Sequence, residues 1–212
     1  MIHVVGSHNA KEYQDHLTTL WKQRYSIFVE KMGWNLNCQE GIERDQFDHD
    51  GTIYLLNIDE RNNLKGAMRL LPTSQKHLMT ETFSHLCNDG VPRGEGIWEV
   101  SRLYSLTARH LMLERDRTVS ELICGLYEYA LIAGIKQFTC VASMVLFPTI
   151  LKAGWNVTPL GLPDVVDGEV VLAFLVDLTE QHYPVVKYAR GVSQSVLHMP
   201  SVECLVPFEM AS

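Results

Sequence analysis

The residues best suited to chemistry lie in the first half of the chain. Glu43-Arg44-Asp45-Gln46-Phe47-Asp48, followed by Asp50, sets alternating opposite charges around one aromatic. A segment of that kind is either a solvated loop or a ligand site. Two arginines, Arg24 and Arg69, stand in otherwise apolar surroundings. An unpaired buried guanidinium is costly, so each needs a carboxylate or a route to water. A further grouping, Trp98-Glu99-Val100-Ser101-Arg102, puts a carboxylate, a hydroxyl and a guanidinium on one short stretch.

The elements that must position these groups follow from periodicity. Residues 2–6 read as a strand, and residues 10–32 as a long helix ending at Gly33, a typical C-cap residue. Its apolar stripe runs through Tyr13, Leu17, Leu20, Trp21, Phe28 and Met32, and Arg24 falls inside it. Residues 34–50 form a long loop, and loops of that length in compact domains are often functional. Strands over 52–58 and 64–71 are joined by the polar turn 59–63, with Ala67, Arg69 and Leu71 sharing one face. A short helix at 79–86 precedes the strand 97–106. Alternation there puts Glu99 and Arg102 on opposite faces, so a site that uses both requires a bulge between them. Thr118-Val119-Ser120-Glu121 starts a helix running to about Ile135. Strand 138–142, a helix at 147–153 closing at Gly154, strands near 155–160 and 169–177 and a helix at 179–190 complete the order. The pattern predicts one α/β domain over residues 1–212 with a mixed, mostly antiparallel sheet.

Composition narrows the function. A net charge of −7 over 212 residues, with no Lys/Arg-rich run, argues against a nucleic-acid or membrane-surface binder. No stretch approaches the roughly 18 apolar residues of a membrane span, and the start carries no secretory pattern. A cytoplasmic location is expected. The five cysteines, 38, 87, 124, 140 and 204, are scattered without a Cys-x-x-Cys pair, so neither a disulfide framework nor a metal site is expected. The first strand runs into Gly6-Ser7-His8, not a glycine-rich turn, and Gly94-Glu95-Gly96 precedes a strand, which removes a dinucleotide-binding fold.

Arg24-x-x-x-Phe28, Gly33-Trp34, Glu43-Arg44-Asp45-x-x-Asp48, Arg69-Leu70-x-Pro72-Thr73, Phe83 and Trp98-Glu99-x-Ser101-Arg102 together resemble the acyl-homoserine-lactone synthases, the autoinducer synthases of bacterial quorum sensing. The match is dense over residues 24–102, and Lys152-Ala153-Gly154-Trp155 continues it more weakly. The resemblance implies an acyl-CoA N-acyltransferase-like fold, with a twisted mixed sheet flanked by helices and opened by a V-shaped cleft. It also implies two substrates and no cofactor. The amine of S-adenosylmethionine is acylated by an acyl thioester, and its carboxylate then displaces methylthioadenosine to close the lactone.

Under that implication the residues acquire roles. An α-amino group with a pKa near 8 is mostly protonated at neutral pH, so a base is useful, and Glu99 is the candidate, directly or through a water. Val100 to Leu103 could expose a backbone N–H for the oxyanion. Asp45 and Asp48 would attract the sulfonium and ammonium, and Phe28 and Trp34 would offer ring faces. Arg69 or Arg102 could grip the carboxylate, and Arg24 would hold the acidic loop over the site. Ser101 and Phe83 complete the expected set. Glu43, Arg44 and Asp50 remain loop-holding or solvated charges. The bland alternative is a buried ion-pair network with Phe28 and Trp34 as core.

The acyl donor is either acyl-CoA or an acyl-carrier protein. From Thr118 to Ser212 there are only four basic residues (Lys136, Lys152, Lys187, Arg190) against nine acids. That half would repel an acidic carrier protein, which favours acyl-CoA, with Arg109, Arg115 and Arg117 available for its phosphates. Val141, Met144, Phe147 and Trp155 are expected around the acyl chain, although each could equally be core. The competing function is a general CoA-dependent N-acyltransferase acting on another amine.

Overall fold

The computed structural model describes residues 1–107, 116–152 and 154–198. Its strands are β1 (Ile2–Val5), β2 (Ile53–Ile58), β3 (Leu64–Pro72), β4 (Ile97–Ser105), β5 (Gln137–Ser143), β6 (Asn156–Pro159), β7 (Asp164–Val166), β8 (Glu169–Asp177) and β9 (Leu197–His198). Its helices are α1 (Gln14–Arg24), α2 (Leu78–Glu81), α3 (Arg117–Ala133), α4 (Phe147–Leu151) and α5 (Tyr183–Arg190). One sheet runs in the order β6-β8-β5-β4-β3-β2-β1-β9, with β7 added to β8. Among the described residues the β4–β5 and β1–β9 pairings are parallel and the rest antiparallel.

Period-two alternation assigns the two faces. Ile2, Val4, Leu55, Met68 and Leu70 pack against α3 in the larger cluster. Val5, Tyr54, Leu56, Ala67 and Tyr104 point the other way, onto Leu17, Leu20 and Phe28. Helix α3 sits close on the sheet because Gly125 lies over Ile2, where a Cβ would come within 2.9 Å of the isoleucine side chain. Its first turn is closed by Asp116, whose carboxylate accepts from the Val119 amide at 2.9 Å and from the Thr107 hydroxyl at 2.8 Å. Losing such a cap costs about 1 kcal/mol. Asp116→Ala is therefore expected to lower the melting temperature by roughly 2–4 °C, readable by circular dichroism.

Two irregularities place the site. β4 pairs with β5 only from Ile97 to Glu99, opposite Gln137 to Thr139. Beyond Glu99, β4 continues on β3 to Ser105 and β5 continues on β8 to Ser143, so the two central strands splay into a V. Between Ala67 and Arg69 the β3–β4 register shifts: these residues face Tyr104 and Ser101, so two steps on one strand span three on the other. Arg102 sits in this bulge with φ +54°, a left-handed conformation uncommon for a side-chain-bearing residue. The bulge required for Glu99 and Arg102 to serve one site is present.

Several sequence boundaries are corrected. The helix expected over 10–32 starts at Gln14 and changes after Arg24 into a wider π-helical turn, Tyr25–Lys31, in which Met32 N–H reaches the Ile27 carbonyl at 3.0 Å. π-turns of this kind are often found at functional sites. The helix expected over 79–86 is one α-turn, α2, followed by a 3-10 turn at Ser84–Leu86, because the backbone leaves helical angles at Thr82 (φ −121°) and Phe83 (φ −117°). The last helix starts at Tyr183 instead of 179, with Pro184 in its first turn. β7 and β9 are additional. β9 lies beside β1 because Glu128 on α3 accepts from the Ser195 hydroxyl and from the Val196 and Leu197 amides at 2.8–3.1 Å.

Candidate active site

The acidic loop is folded inward over the end of α1. Arg24, 1% exposed, meets Glu43 through Nε and Asp48 through Nη1 and Nη2 at 2.8 and 3.1 Å. Arg69, brought up from β3, meets Asp45 at 2.6 Å and Asp48 at 3.1 Å. Arg102, turned by the bulge, bonds Glu43 at 3.0 Å and Asp45 at 3.2 Å. Three guanidiniums thus share three carboxylates in a neutral network. Burial opposes ionisation of Asp48, but Arg69 and Arg24 outweigh it and hold the carboxyl well below the usual carboxylate range. Glu43 is lowered in the same way, burial being overcome by Arg24 and then Arg102.

This network redraws the division expected within the loop. Asp48 also takes the Tyr54 hydroxyl at 2.7 Å and the Asp45 amide at 2.9 Å. With its side chain fully buried and both oxygens engaged, it ties Arg24 and Arg69 together and is not presented to a ligand. Glu43 is likewise internal, bridging Arg24 and Arg102. Asp45, 22% exposed at its side chain, is the acid of the three that reaches solvent. Arg44 clamps the loop from outside, stacked 4.6 Å from the Trp21 ring centre and donating to the Asp48 carbonyl at 3.2 Å. Phe28 and Trp34 do stack on each other, centroids 4.8 Å apart. The cation over both rings is Arg102, at 5.6 and 5.7 Å.

On the same face of β4, two residues before Ser101, Glu99 is 2% exposed. Its Oε2 meets His77 Nδ1 at 2.5 Å and accepts the Met79 amide at 2.9 Å. Ser101 accepts from Arg69 Nε at 3.1 Å, which links this group to the acidic loop. Phe83 packs with Met79 and Leu86 on the Glu99 side of the sheet. Three buried polar atoms of this stretch have no partner among the described residues: Nη2 of Arg69, which bonds Ser101 through Nε; Nε2 of His77, whose Nδ1 meets Glu99; and the hydroxyl of Thr139, the residue paired with Glu99 across β5. Unpaired buried polar atoms are costly and mark places where a ligand or water completes the bonding. His77 and Thr139 were invisible in the sequence, since neither stands at a diagnostic spacing.

The acyl-side set is only partly assembled. Val141 lies on the Glu99 face with Met79 and Leu86, whereas Phe147 and Trp155 pack on the α3 side with the larger cluster. Met144 is half-buried, just beyond the end of β5. Arg117 is exposed and paired with Glu121 at 2.8 Å, and the helix terminus beside it already holds the Asp116 carboxylate. Arg109 and Arg115 lie outside the described residues. A cavity of about 240 Å³, lined by Gln46, Phe47, His49, Gln75, Lys76 and Glu81, opens between the acidic loop and α2. A larger groove, about 400 Å³, lies away from this chemistry beside Asp15, Gln23 and Asn63.

The arrangement can be set against known proteins. Residues 8–185 match the family model described as autoinducer synthase. The isovaleryl-homoserine lactone synthase of Bradyrhizobium diazoefficiens is 34% identical over 199 residues, covering 92% of this chain and 88% of the relative. The solved structure of BjaI, a CoA-dependent acyl-homoserine lactone synthase with SAM and isopentyl-CoA, superposes with a TM-score of 0.86 at 32% identity, covering 97% and 96% of the two chains. A protein assigned as an N-acetyltransferase, from Lactobacillus plantarum, shares the fold alone, with a TM-score of 0.54 at 15% identity over 84% and 99%. The acyltransferase fold therefore agrees with the sequence matches, and the chain belongs to the autoinducer synthase family of acyltransferases.

Proposed function

We propose that this protein forms an N-acyl-L-homoserine lactone from S-adenosylmethionine and an acyl-CoA. The observation that carries the residue assignment is the buried Glu99, set among unpartnered polar atoms at the point where β4 and β5 part. Glu99 takes a proton from the α-ammonium, directly or through a water, and the freed amine attacks the thioester carbonyl. The C–N bond forms, the C–S bond breaks, and CoA leaves as a thiol once protonated. One backbone amide between Val100 and Leu103, past the point where β4 leaves β5, is assigned to the oxyanion. The carboxylate oxygen then attacks the γ-carbon of the methionine moiety, and the C–S⁺ bond breaks to release neutral methylthioadenosine.

The roles of the charged groups follow from which of their atoms are already bonded and which acid reaches solvent. Arg69, with Nη2 unspent, is the stronger candidate for the substrate carboxylate, and Arg102 is the second. Asp45 is the acid open to the substrate cations. Arg24, Asp48 and Glu43 act one layer behind, holding these groups in place. Acyl-CoA is favoured over a carrier protein by the acidic second half of the chain and by likeness to a CoA-dependent relative.

Purified protein given S-adenosylmethionine and a panel of acyl-CoA and acyl-carrier-protein thioesters should release methylthioadenosine fastest with an acyl-CoA. Release with carrier-protein thioesters alone would overturn the donor assignment. Acyl transfer to other amines without methylthioadenosine would replace the lactone-forming reading by a general N-acyltransferase.

A further inference from the structure

We infer that His77 is a positioning residue for Glu99, an assignment that rests on the reading of Glu99 as the base. The ring is fully buried immediately before α2, and its backbone is set by the turn it opens. The His77 amide donates to the Thr80 hydroxyl at 3.2 Å, and that hydroxyl donates to the His77 carbonyl at 2.8 Å. From this fixed turn two groups converge on one carboxylate oxygen: His77 Nδ1 at 2.5 Å and the Met79 amide at 2.9 Å, both on Oε2.

The chemistry of the acceptor determines which ring nitrogen carries hydrogen. The Met79 amide can only donate, and an ionised carboxylate can only accept. His77 must therefore present Nδ1–H to Glu99. Both donors fall on Oε2, and Oε1 has no hydrogen-bond partner among the described residues. Oε1 is thus left as the oxygen that receives the substrate proton. The ring also blocks rotation of the carboxylate, because turning it would strand two buried donors at once. In the neutral ring Nε2 is a bare acceptor, in keeping with its lack of a partner.

His77→Phe keeps an aromatic ring in the turn but removes the donor. It should lower kcat by about 10- to 100-fold, the scale of a misdirected reacting group, with KM for S-adenosylmethionine within about twofold. A purely structural role would not be rescued selectively by the variant that restores an N–H at the Nδ1 position. His77→Asn carries an N–H near the position of Nδ1 and should restore most of kcat, whereas His77→Gln places its N–H one carbon farther and should not. If His77→Phe does not fold, the Asn and Gln variants and the ¹⁵N spectrum of the unmodified protein still decide, the latter by showing Nδ1 as the protonated nitrogen. Full kcat in a folded His77→Phe protein, failure of His77→Asn to recover, or an Nε2–H ring would each overturn the assignment. Glu99→Gln, measured alongside, separates the two readings: an active Glu99→Gln protein removes the base itself, whereas an inactive one beside a fully active His77→Phe protein removes only the role of His77.

Discussion

Glu99→Gln is expected to lower acyl transfer by about 10²- to 10⁴-fold, the usual contribution of a positioned general base. The amide has the size of the carboxylate and can still accept the Met79 N–H and face His77, so the fold and the Arg69–Ser101 link should survive. It cannot take a proton from an ammonium. Binding of S-adenosylmethionine, measured by calorimetry, should therefore stay within a few-fold while single-turnover acylation collapses. Raising the pH should recover part of the rate, because the amine then loses its proton to solvent. A Glu99→Gln protein that acylates at the native rate at neutral pH would mean that deprotonation occurs elsewhere.

Asp48→Ala is expected to have the largest effect on stability. Asp48 is the shared partner of Arg24 and Arg69, both essentially buried. Its loss leaves three guanidiniums against two carboxylates, Glu43 and Asp45, so one positive charge is uncompensated, and the Tyr54 hydroxyl loses its acceptor. Breaking a buried pair costs about 3–5 kcal/mol, because the remaining charge is left uncompensated. For a chain of this size that corresponds to a fall in melting temperature of roughly 6–20 °C. The pH dependence has a definite sign. The Asp48 carboxyl is held below its ordinary range, so its contribution is fully present above the unfolded value near 4 and is lost as pH falls through the folded value. The native protein should lose stability steeply below about pH 4, and Asp48→Ala should flatten that limb. Thermal melts between pH 3 and pH 7 read both effects. A loss below about 1 kcal/mol, typical of exposed pairs, would mean that the network is wet.

The positions of the charged residues were legible before their partners were. Arg24 lay in an apolar helical stripe and Arg69 on an apolar strand, and either placement demands a counter-charge. The acidic loop was the segment able to provide it. Which acid met which arginine was not legible, because the pairing depends on how a 17-residue loop, residues 34–50, folds back on α1. Asp45 and Asp48 look equivalent in sequence, yet one reaches solvent and the other lies beneath two arginines. β7 has a local signal in the sequence: Asp167-Gly168, both with positive φ, is the two-residue turn favoured in hairpins. β9 had none, since its order comes from Glu128, which is about 70 residues away along the chain.

Residue types and spacing by themselves determined the α/β class and the set of charged and aromatic residues, and that set carries the resemblance to the family. The class and the set depend on local periodicity and on which side chains are present. Tertiary structure alone decided three things. The bulge at Arg102 turned an alternating strand so that Glu99, Ser101 and Arg102 serve one face, a register effect that arises only when β3 pairs with β4. The parting of β4 from β5 after Glu99 opened the cleft beside that carboxylate. The turn before α2 brought His77, 22 residues earlier in the chain, onto the Glu99 carboxylate. A contact of that kind depends on how two segments pack in space, and nothing in their separate sequences encodes it.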